Sequence, residues 1–273
     1  MKIGDVDVRP LLDGVTEFPS ALLYPEVDHH VLAGSPGFLN TAGNVELPCG
    51  GFLVLGPEGE VVLVDLGSGP DVVLPDIPGV TLTVLQDGKL LTALQGSGVA
   101  PADVTHVVFT HLHADHVGWA SIDGRPTFPH ARHYVHRQDW RTFVDGDLDE
   151  SVRALLLPLT DITEIWDSAE LRLFSWFRLV HSPGHTPGSV VGLIESGGDS
   201  GVLVGDVFHS LVELERPSLL GGVDADAKAA AGQRAAWVER IDSVGATVFC
   251  PHFPDLAPVT LVAGKAVVVS AHR

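Results

Sequence analysis

Short runs of β-branched and other apolar residues recur along the chain, and each is closed by glycine, proline or a polar residue. Such runs are typical of buried strands. They read KIGDVDV, GFLVLG, VVLVDLG, HVVFTH, FRLVHS, SVVGLIE, GVLVGD, ATVFC and AVVVS. Helical patterns lie between them near residues 87–96, 137–145, 150–157 and 224–242, the last with an Asp-rich start and an Ala-rich body. The alternation predicts a mixed α/β protein.

The segment at about 17–50 interrupts this alternation. It is aromatic, punctuated by proline and glycine, and weakly periodic. A long irregular segment predicts a surface excursion, either a lid or a contact between subunits. In a lid, His29 and His30 would line the entrance; otherwise they are solvated loop residues. No linker composition divides the chain, so we expect one domain over residues 1–273.

The charge balance narrows the partners. The 273 residues are 45% hydrophobic, enough to bury a large core, and 35 acidic against 16 basic residues give a net charge of -19. That excess disfavours binding to nucleic acid or to an anionic membrane surface. We therefore expect a small, neutral or hydrophobic substrate. An exposed apolar excursion would also allow a homodimer.

Two further features concern the compartment. No apolar run reaches membrane-spanning length, and the N-terminal stretch lacks the apolar centre of a secretory signal. The two cysteines, Cys49 and Cys250, form no CxxC pair. Two cysteines far apart in the sequence predict buried free thiols. Together with the lack of an apolar signal or membrane segment, they predict a cytoplasmic protein.

Three histidines and an aspartate fall within the six residues that follow the run HVVFT. His111 and His113 are two apart, so an extended chain projects both to one side, and Asp115 and His116 follow in the turn. Zinc prefers imidazole nitrogens and carboxylate oxygens, and two ions about 3.5–4 Å apart need two adjacent donor sets. We predict that the HxHxDH stretch begins both sets.

Three other polar side chains follow predicted strands. His185 lies in the Pro- and Gly-braced turn SPGHTPGS, Asp206 follows GVLVG, and His252 lies in CPHFP. Each is a weak signal alone, because a lone histidine is often structural and aspartate after glycine is a common turn residue. Active sites of α/β sheets lie at strand ends, so the shared placement favours one metal centre.

The motifs THLHADHVG, PGHTPG, GDVFH and PHF, with the aspartate of VVLVDLG, resemble in order and content those of the metallo-β-lactamase fold superfamily. The resemblance covers about residues 50–255. It implies an α/β, four-layer αβ/βα sandwich with two metals where the sheets meet. It further implies that His111, His113 and His185 hold one metal and that Asp115, His116 and His252 hold the other, with Asp206 bridging the two. Asp65 would orient the loop of residues 111–116, the histidine loop, by hydrogen bonds.

Three positions depart from many lactonases of this superfamily. Ser189 follows PGHTPG where many lactonases and glyoxalases carry a further histidine, which disfavours an acyl homoserine lactonase without affecting the metal site. His209 stands where these relatives offer a tyrosine to the substrate; its imidazole would donate to the substrate carbonyl or leaving oxygen, or be structural. Trp119 stands where many continue with glycine, and it would narrow the pocket or fill the core.

The resemblance implies hydrolysis. Two divalent ions, Zn²⁺ first and Mn, Fe or Co as alternatives, would lower the pKa of a shared water toward about 7 for attack on an ester-like carbonyl. Asp115 or Asp206 would carry the proton to the leaving group. A lactone or carboxylic ester is the first expectation, and an organophosphate triester or a thioester the alternative. A metal-binding or di-iron protein that hydrolyses nothing is the alternative of another class.

Overall fold

The computed structural model describes residues 1–27, 32, 39–70, 83–86, 88–146 and 148–269. Within these ranges the strands are β1 (Lys2–Ile3), β2 (Val6–Pro19), β3 (Asn44–Leu55), β4 (Val61–Val64), β5 (Thr83–Gln86), β6 (His106–Val108), β7 (Ser121–Ile122), β8 (Arg125–Pro126), β9 (Arg132–His136), β10 (Thr163–Trp166), β11 (Glu170–Arg172), β12 (Phe177–His181), β13 (Val190–Ser196), β14 (Asp199–Leu203), β15 (Thr247–Phe249), β16 (Val259–Val262) and β17 (Lys265–Val268). The α-helices are α1 (Ser20–Leu23), α2 (Leu90–Gly96), α3 (Ala114–Val117), α4 (Arg137–Asp139), α5 (Glu150–Leu156), α6 (Leu211–Glu215) and α7 (Ala227–Val244).

Two large sheets contain most of these strands. The first has the order β1-β2-β3-β4-β6-β9-β10, with β5 paired to β2, and the second runs in order from β11 to β17. Strands β4, β6, β9 and β10 are parallel, as are β14 and β15. The parallel strands bring their carboxyl ends to a common edge of each sheet, where α/β proteins place their sites.

Three buried cores separate the layers. Phe52 of β3 packs between the sheets against Phe249 of β15, with ring centroids 5.8 Å apart. The next residue, Leu53, points to the opposite face, as strand geometry requires, and joins a core with Leu94 of α2. On the outer face of the second sheet, Trp237 of α7 belongs to the third core. Helices therefore cover the outer faces of two stacked sheets, which confirms the predicted four-layer αβ/βα sandwich.

Helix α7 follows from its local sequence. Asp226 at its N-cap accepts hydrogen bonds from the backbone of Lys228 and Ala229 at 3.1 and 3.0 Å. The helix stops at Gly245, whose φ of 63° is in the left-handed region that glycine adopts without strain. The described helices include none that is long and apolar enough to cross a membrane.

The predicted excursion at about 17–50 is strand at both of its ends. Strand β2 continues to Pro19, β3 begins at Asn44, and these two residues pair in the antiparallel register. The prediction was wrong there because pairing with a neighbouring strand, rather than local periodicity, holds both segments extended. His29 and His30 lie outside the described residues.

A buried aspartate joins the first sheet to the loops at its edge. The carboxylate of Asp13, 0% exposed, accepts hydrogen bonds from the backbone of Ser68, Gly69 and Leu90 at 2.8, 2.9 and 2.7 Å. It also accepts one from the indole N–H of Trp119 at 2.8 Å. Four donors compensate for burial of the carboxylate, and they fix two loops and a helix start against one another.

Replacing Asp13 with alanine should destabilise the fold. We expect a loss of about 3–5 kcal/mol in the free energy of unfolding, because four buried donors lose their acceptor. Urea denaturation followed by circular dichroism measures it, with the exposed Asp5→Ala as the matched control. A loss below about 1 kcal/mol would show that these donors find other partners.

Candidate metal centre

Five segments meet where the carboxyl ends of the parallel strands lie. The histidine loop follows β6, Asp65 follows β4 and His185 follows β12, while Asp206 and His252 follow the neighbouring strands β14 and β15. The structure brings together all seven predicted metal donors, which are His111, His113, Asp115, His116, His185, Asp206 and His252. Each sheet supplies part of the cluster.

One group of donors contains three histidines and one carboxylate oxygen. His111 Nε2 and His185 Nε2 lie 3.0 and 2.9 Å from His113 Nδ1. Asp206 Oδ2 lies 3.7 Å from His111 Nε2 and 3.3 Å from His185 Nε2. The four ligand atoms all lie within 4.8 Å of one another. We call these four residues the first donor set.

The other oxygen of Asp206 faces a second group. Asp206 Oδ1 lies 3.2 Å from His116 Nε2 and 3.1 Å from His252 Nε2. Asp115 Oδ2 lies 3.7 Å from each of these nitrogens. These four residues form the second donor set. Because the two oxygens of Asp206 face different sets, its carboxylate stands between two adjacent donor groups.

The donor atoms are arranged for cations rather than for hydrogen bonds among themselves. His113 Nδ1 has a neighbouring imidazole nitrogen on two sides, but a single N–H can satisfy only one of them. His116 Nε2 and Asp206 Oδ1 are buried and face each other without forming a hydrogen bond. Buried polar atoms left unpaired are costly, and a divalent cation within each set would satisfy them. The residues present therefore fit two metal ions.

Burial sets the protonation of several donors. Burial, with His185 nearby, lowers the pKa of His113 to about 3, which leaves its imidazole neutral and able to bind metal. Burial and the adjacent His116 hold the pKa of His111 well below its usual value. Burial opposes ionisation of Asp206, but His252 and the other histidines outweigh it and keep the pKa of that carboxyl well below its ordinary value. The first donor set thus combines neutral imidazoles at His111 and His113 with an ionised carboxylate. In the second set burial opposes the charged imidazole, but the carboxylate of Asp206 outweighs it and holds the pKa of His116 and of His252 well above the usual value.

Asp65 contacts the histidine loop from beneath. Its Oδ1 accepts the backbone N–H of Thr110 at 2.7 Å, and its Oδ2 lies 2.7 Å from the hydroxyl of Thr110 and 2.9 Å from His116 Nδ1. Its φ of 60° is in the left-handed region, which aspartate tolerates better than most residues. A carboxylate on the far nitrogen of a histidine can fix the ring so that Nε2 points at a metal. These contacts suit the orienting role predicted for Asp65.

Two more histidines have partners on their far nitrogens. His252 Nδ1 lies 2.7 Å from the carbonyl oxygen of Pro48 in β3. His185 Nδ1 lies 3.2 Å from Asp224 Oδ1. Each contact leaves Nε2 of that ring directed into the donor sets.

Behind His185 lies a buried arginine that the sequence analysis missed. Arg234 of α7 is 0% exposed, and its Nη1 lies 3.2 Å from Asp224 Oδ2 and 3.7 Å from Glu213 Oε1. Its Nη2 donates to the carbonyl oxygen of Leu219 at 2.6 Å. Arg234 shares the buried face of α7 with Trp237. An arginine at a core-facing position of an Ala-rich helix is the sequence signal that could have found it.

Asp139 is a second residue that the sequence analysis missed. It accepts hydrogen bonds from the backbone of Leu112 at 3.1 Å, the hydroxyl of Thr186 at 3.0 Å and the backbone of Gly188 at 2.6 Å. Burial raises the pKa of Asp139 to about 6, against the effect of these donors. The side chain thereby ties the histidine loop to the turn that carries His185.

His209 lies inside the centre. It is 3% exposed, its Nε2 lies 3.4 Å from Asp206 Oδ2 without a hydrogen-bond partner, and its Nδ1 lies 3.6 Å from Glu213 Oε2. Burial opposes the charged form, but Glu213 and Asp206 together raise the pKa of His209 to about 10. The imidazole thus faces the donor sets, which is the placement that a substrate contact requires.

Trp119 belongs to the core on the outer face of the first sheet. Its ring is 7% exposed among apolar side chains such as Leu90, and its indole N–H donates to Asp13. Of the two roles expected for Trp119, the structure supports core filling. The predicted pocket-narrowing role has no contact in its favour, because the indole is directed at Asp13 beneath the loop rather than at the donor sets.

Comparison with known proteins agrees with this geometry. The model of the Metallo-beta-lactamase superfamily matches residues 51–252. The chain belongs to this superfamily. The match begins in β3 and ends at His252, so it includes every residue of both donor sets. The superfamily named from the motifs is thereby confirmed.

Individual relatives of the superfamily carry more specific names. Over 156 residues the chain is 36% identical to Metallo-beta-lactamase domain-containing protein 1 of Xenopus laevis, covering 56% of this chain and 55% of that protein. Over 160 residues it is 28% identical to N-acyl homoserine lactonase AttM of Azorhizobium caulinodans, covering 52% and 58%. The chain thus aligns with little more than half the length of these relatives.

A solved structure shares the fold over the whole chain. This is AidC, a dizinc quorum-quenching lactonase in complex with a product, N-hexanoyl-L-homoserine. It superimposes with a TM-score of 0.83 at 21% identity, covering 100% of this chain and 97% of that one.

Removing Arg234 should destabilise the protein through its buried partners. In an Arg234→Met variant, Asp224 and Glu213 would stay buried without their cation, at a cost of about 3–5 kcal/mol in the free energy of unfolding. Denaturant unfolding of the metal-free protein measures this. The control is Lys228→Met, which removes one exposed positive charge from the same helix. Equal stabilities for the two variants would contradict the ion-pair network.

Proposed function

We propose that this protein is a hydrolase that uses two divalent cations to open the ester bond of a small neutral or hydrophobic substrate, with a lactone as first choice. One observation carries the proposal. The buried carboxylate of Asp206 faces His111 and His185 of the first donor set through Oδ2, and it faces His116 and His252 of the second through Oδ1. A carboxylate between two donor sets is the arrangement that a dinuclear hydrolase needs.

The donor types indicate which cations suit the two positions. His111, His113 and His185 would hold one cation, and Asp115, His116 and His252 the other, with Asp206 shared between them. Nitrogen-rich sets completed by carboxylates suit Zn²⁺, while Mn, Fe and Co are alternatives with the same donors. When bound, such cations acidify water and polarise a carbonyl or phosphoryl oxygen.

The two aspartates differ in access to solvent. The side chain of Asp115 is 35% exposed, whereas that of Asp206 is 5% exposed. A group that passes a proton to a leaving group must reach both the substrate and solvent. Of the two predicted proton carriers, Asp115 is therefore the better placed, and Asp206 acts as the shared ligand.

His209 would act on the substrate rather than on the cations. Its unpartnered Nε2 points toward Asp206 from beside the two sets. A charged imidazole there can donate a hydrogen bond to the oxygen on which charge develops during ester cleavage.

The net charge of the protein and the names of two relatives favour a neutral ester as the substrate. A net charge of -19 disfavours polyanions, so a neutral ester is a better partner than a phosphodiester polymer. AttM and AidC, which the chain resembles, are named as lactonases. A phosphotriester or a thioester would use the same residues, and the assay below includes both.

A lactone assay tests the proposal. The zinc-loaded protein, mixed with a medium-chain N-acyl homoserine lactone and a pH indicator, should release one proton for each lactone opened. Asp206→Ala should lower kcat/KM at least about 1000-fold, or about 4 kcal/mol in transition-state stabilisation, because both donor sets lose their shared ligand. The matched control is the exposed carboxylate variant Asp242→Ala, which should retain the activity.

The outcomes separate the candidate substrates. Proton release from paraoxon or from an acyl thioester, but not from the lactone, would replace the lactone choice. No turnover of any of these by protein that carries two metals would reject the hydrolase. Visible absorption of protein as purified would then reveal the alternative di-iron load.

Substitution of His209 tests its contact with the substrate. In His209→Phe, kcat should fall about 100-fold, the usual cost of losing one donor to a developing oxyanion, while two metals remain bound. Steady-state kinetics with elemental analysis measures both quantities, and the exposed His130→Phe is the control. Loss of metal in step with kcat would instead indicate a structural role.

A further inference from the structure

Cys49 lies beside the second donor set. It is in β3 and is 2% exposed, and its Sγ is 3.9 Å from Asp115 Oδ2. The ligand atoms of Cys49, Asp115 and His252 all lie within 4.8 Å of one another. The expectation of two buried free thiols is correct, but one of the two is in contact with a metal-donor group.

The spacing of these atoms suits one shared cation. Zinc binds thiolate sulfur at about 2.3 Å and carboxylate oxygen at about 2.0–2.2 Å, which places the two donors roughly 3.6–3.8 Å apart at tetrahedral to trigonal angles. The observed 3.9 Å between Cys49 Sγ and Asp115 Oδ2 is close to this range. It also resembles the 3.7 Å from the same oxygen to His116 Nε2 and to His252 Nε2.

A separate observation points to a cation at this position. His116 Nε2 and Asp206 Oδ1 are buried and lack hydrogen-bond partners, and Asp206 Oδ1 lies 3.2 Å from His116 Nε2 and 3.1 Å from His252 Nε2. His252 belongs both to the group with His116 and Asp206 and to the group with Cys49 and Asp115. A cation bound to His252 would thus lie near both these unpaired donors and the thiol.

The surroundings of the other cysteine, Cys250, can be compared with those of Cys49. Cys250 is also fully buried, and its Sγ donates to the carbonyl oxygen of Phe208 at 3.0 Å, whereas the carbonyl partner of Cys49 Sγ, on Leu47, is 3.7 Å away. Among the described residues, the candidate metal groups include Cys49 but not Cys250. The two thiols therefore differ in their neighbours rather than in their burial.

We propose that Cys49 is a further ligand of the cation in the second donor set and makes that position selective for thiophilic divalent ions such as Zn²⁺ and Cd²⁺ over Mn²⁺. This deepens the proposed function and rests on it. On binding, the S–H bond breaks, the sulfur lone pair binds the cation, and the proton leaves to solvent, so no oxidant or reductant is involved. Thiolate is a soft ligand, whereas Mn²⁺ prefers oxygen donors.

Cadmium is a suitable probe because thiolate binding to it produces a charge-transfer absorption band in the ultraviolet. Metal-free protein is titrated with CdCl₂, bound cadmium is counted by elemental analysis after dialysis, and the band is recorded. The Cys250→Ser variant is decisive because Cys49 is then the only cysteine in the chain. Cys49→Ser and Cys49→Ala complete the set, with circular dichroism as the check of folding.

We expect two cadmium ions per chain and a thiolate band in the wild type and in Cys250→Ser. The band should be absent in both Cys49 variants. Their affinity for the weaker-bound cadmium should fall at least about tenfold, the lower end of what even indirect partners of a metal contribute. Their affinity for Mn²⁺ should change by less than about twofold, since Mn²⁺ gains little from a thiolate.

Two results would overturn the inference. Two bound cadmium ions without a band in Cys250→Ser would mean that the thiol only donates a weak hydrogen bond, to Leu47 or to Asp115, and the dinuclear site would stand without Cys49. Fewer than two ions in the wild type would reject the dinuclear site itself, and the thiolate ligand with it.

Discussion

The carboxylate of Asp206 is the group around which the site is organised. A buried carboxylate normally accepts several N–H donors, because an unpaired charge in the protein interior is costly. Asp206 is 6% exposed, its Oδ1 has no hydrogen-bond partner, and histidine nitrogens face both of its oxygens. Gly205 before it has a φ of 50°, and a Cβ there would collide with Thr110. The backbone thus places a buried charge among histidine nitrogens, where cations in the two donor sets would compensate it.

The carboxylates that contact the far nitrogens of the donor histidines have partners of their own. Asp65 is held by Thr110, and Asp224 by Arg234. The second of these links reaches α7, the helix that covers the outer face of the second sheet. A histidine ring fixed by a carboxylate is only as well placed as that carboxylate, so a distant helix contributes to the geometry of the first donor set.

The parts of the site that could be predicted are those that short motifs encode. Strand-end donors follow apolar runs by one to a few residues, so HxHxDH and its companions are visible as a pattern. The partners of Asp13 and Asp139 are distant in sequence, and a lone aspartate has no periodicity to reveal it. Helical spacing places Arg234 on the buried face of α7, but it does not reveal that Asp224 and Glu213 are its partners. For the same reason the ends of β2 and β3 were mistaken for a loop, since their pairing is with each other.

Cys49 shows the same limit, because its neighbour Asp115 is 66 residues away in sequence. Composition can say that a cysteine is buried but not what it is buried against. The resemblance to a family gives ligand positions only where the family has a motif, and β3 has none.

Each donor set contains residues that follow strands of both sheets. His111 and His116 come from the loop after a strand of the first sheet, while His185 and His252 follow strands of the second. Cations held by the two sets would therefore join the sheets at the edge of the core that contains Phe52 and Phe249. Because such cations bind the folded chain and not the unfolded one, their binding free energy adds to that of the sheet packing. The site and the sandwich then stabilise one another, and this explains how so many polar groups can be buried at a single edge.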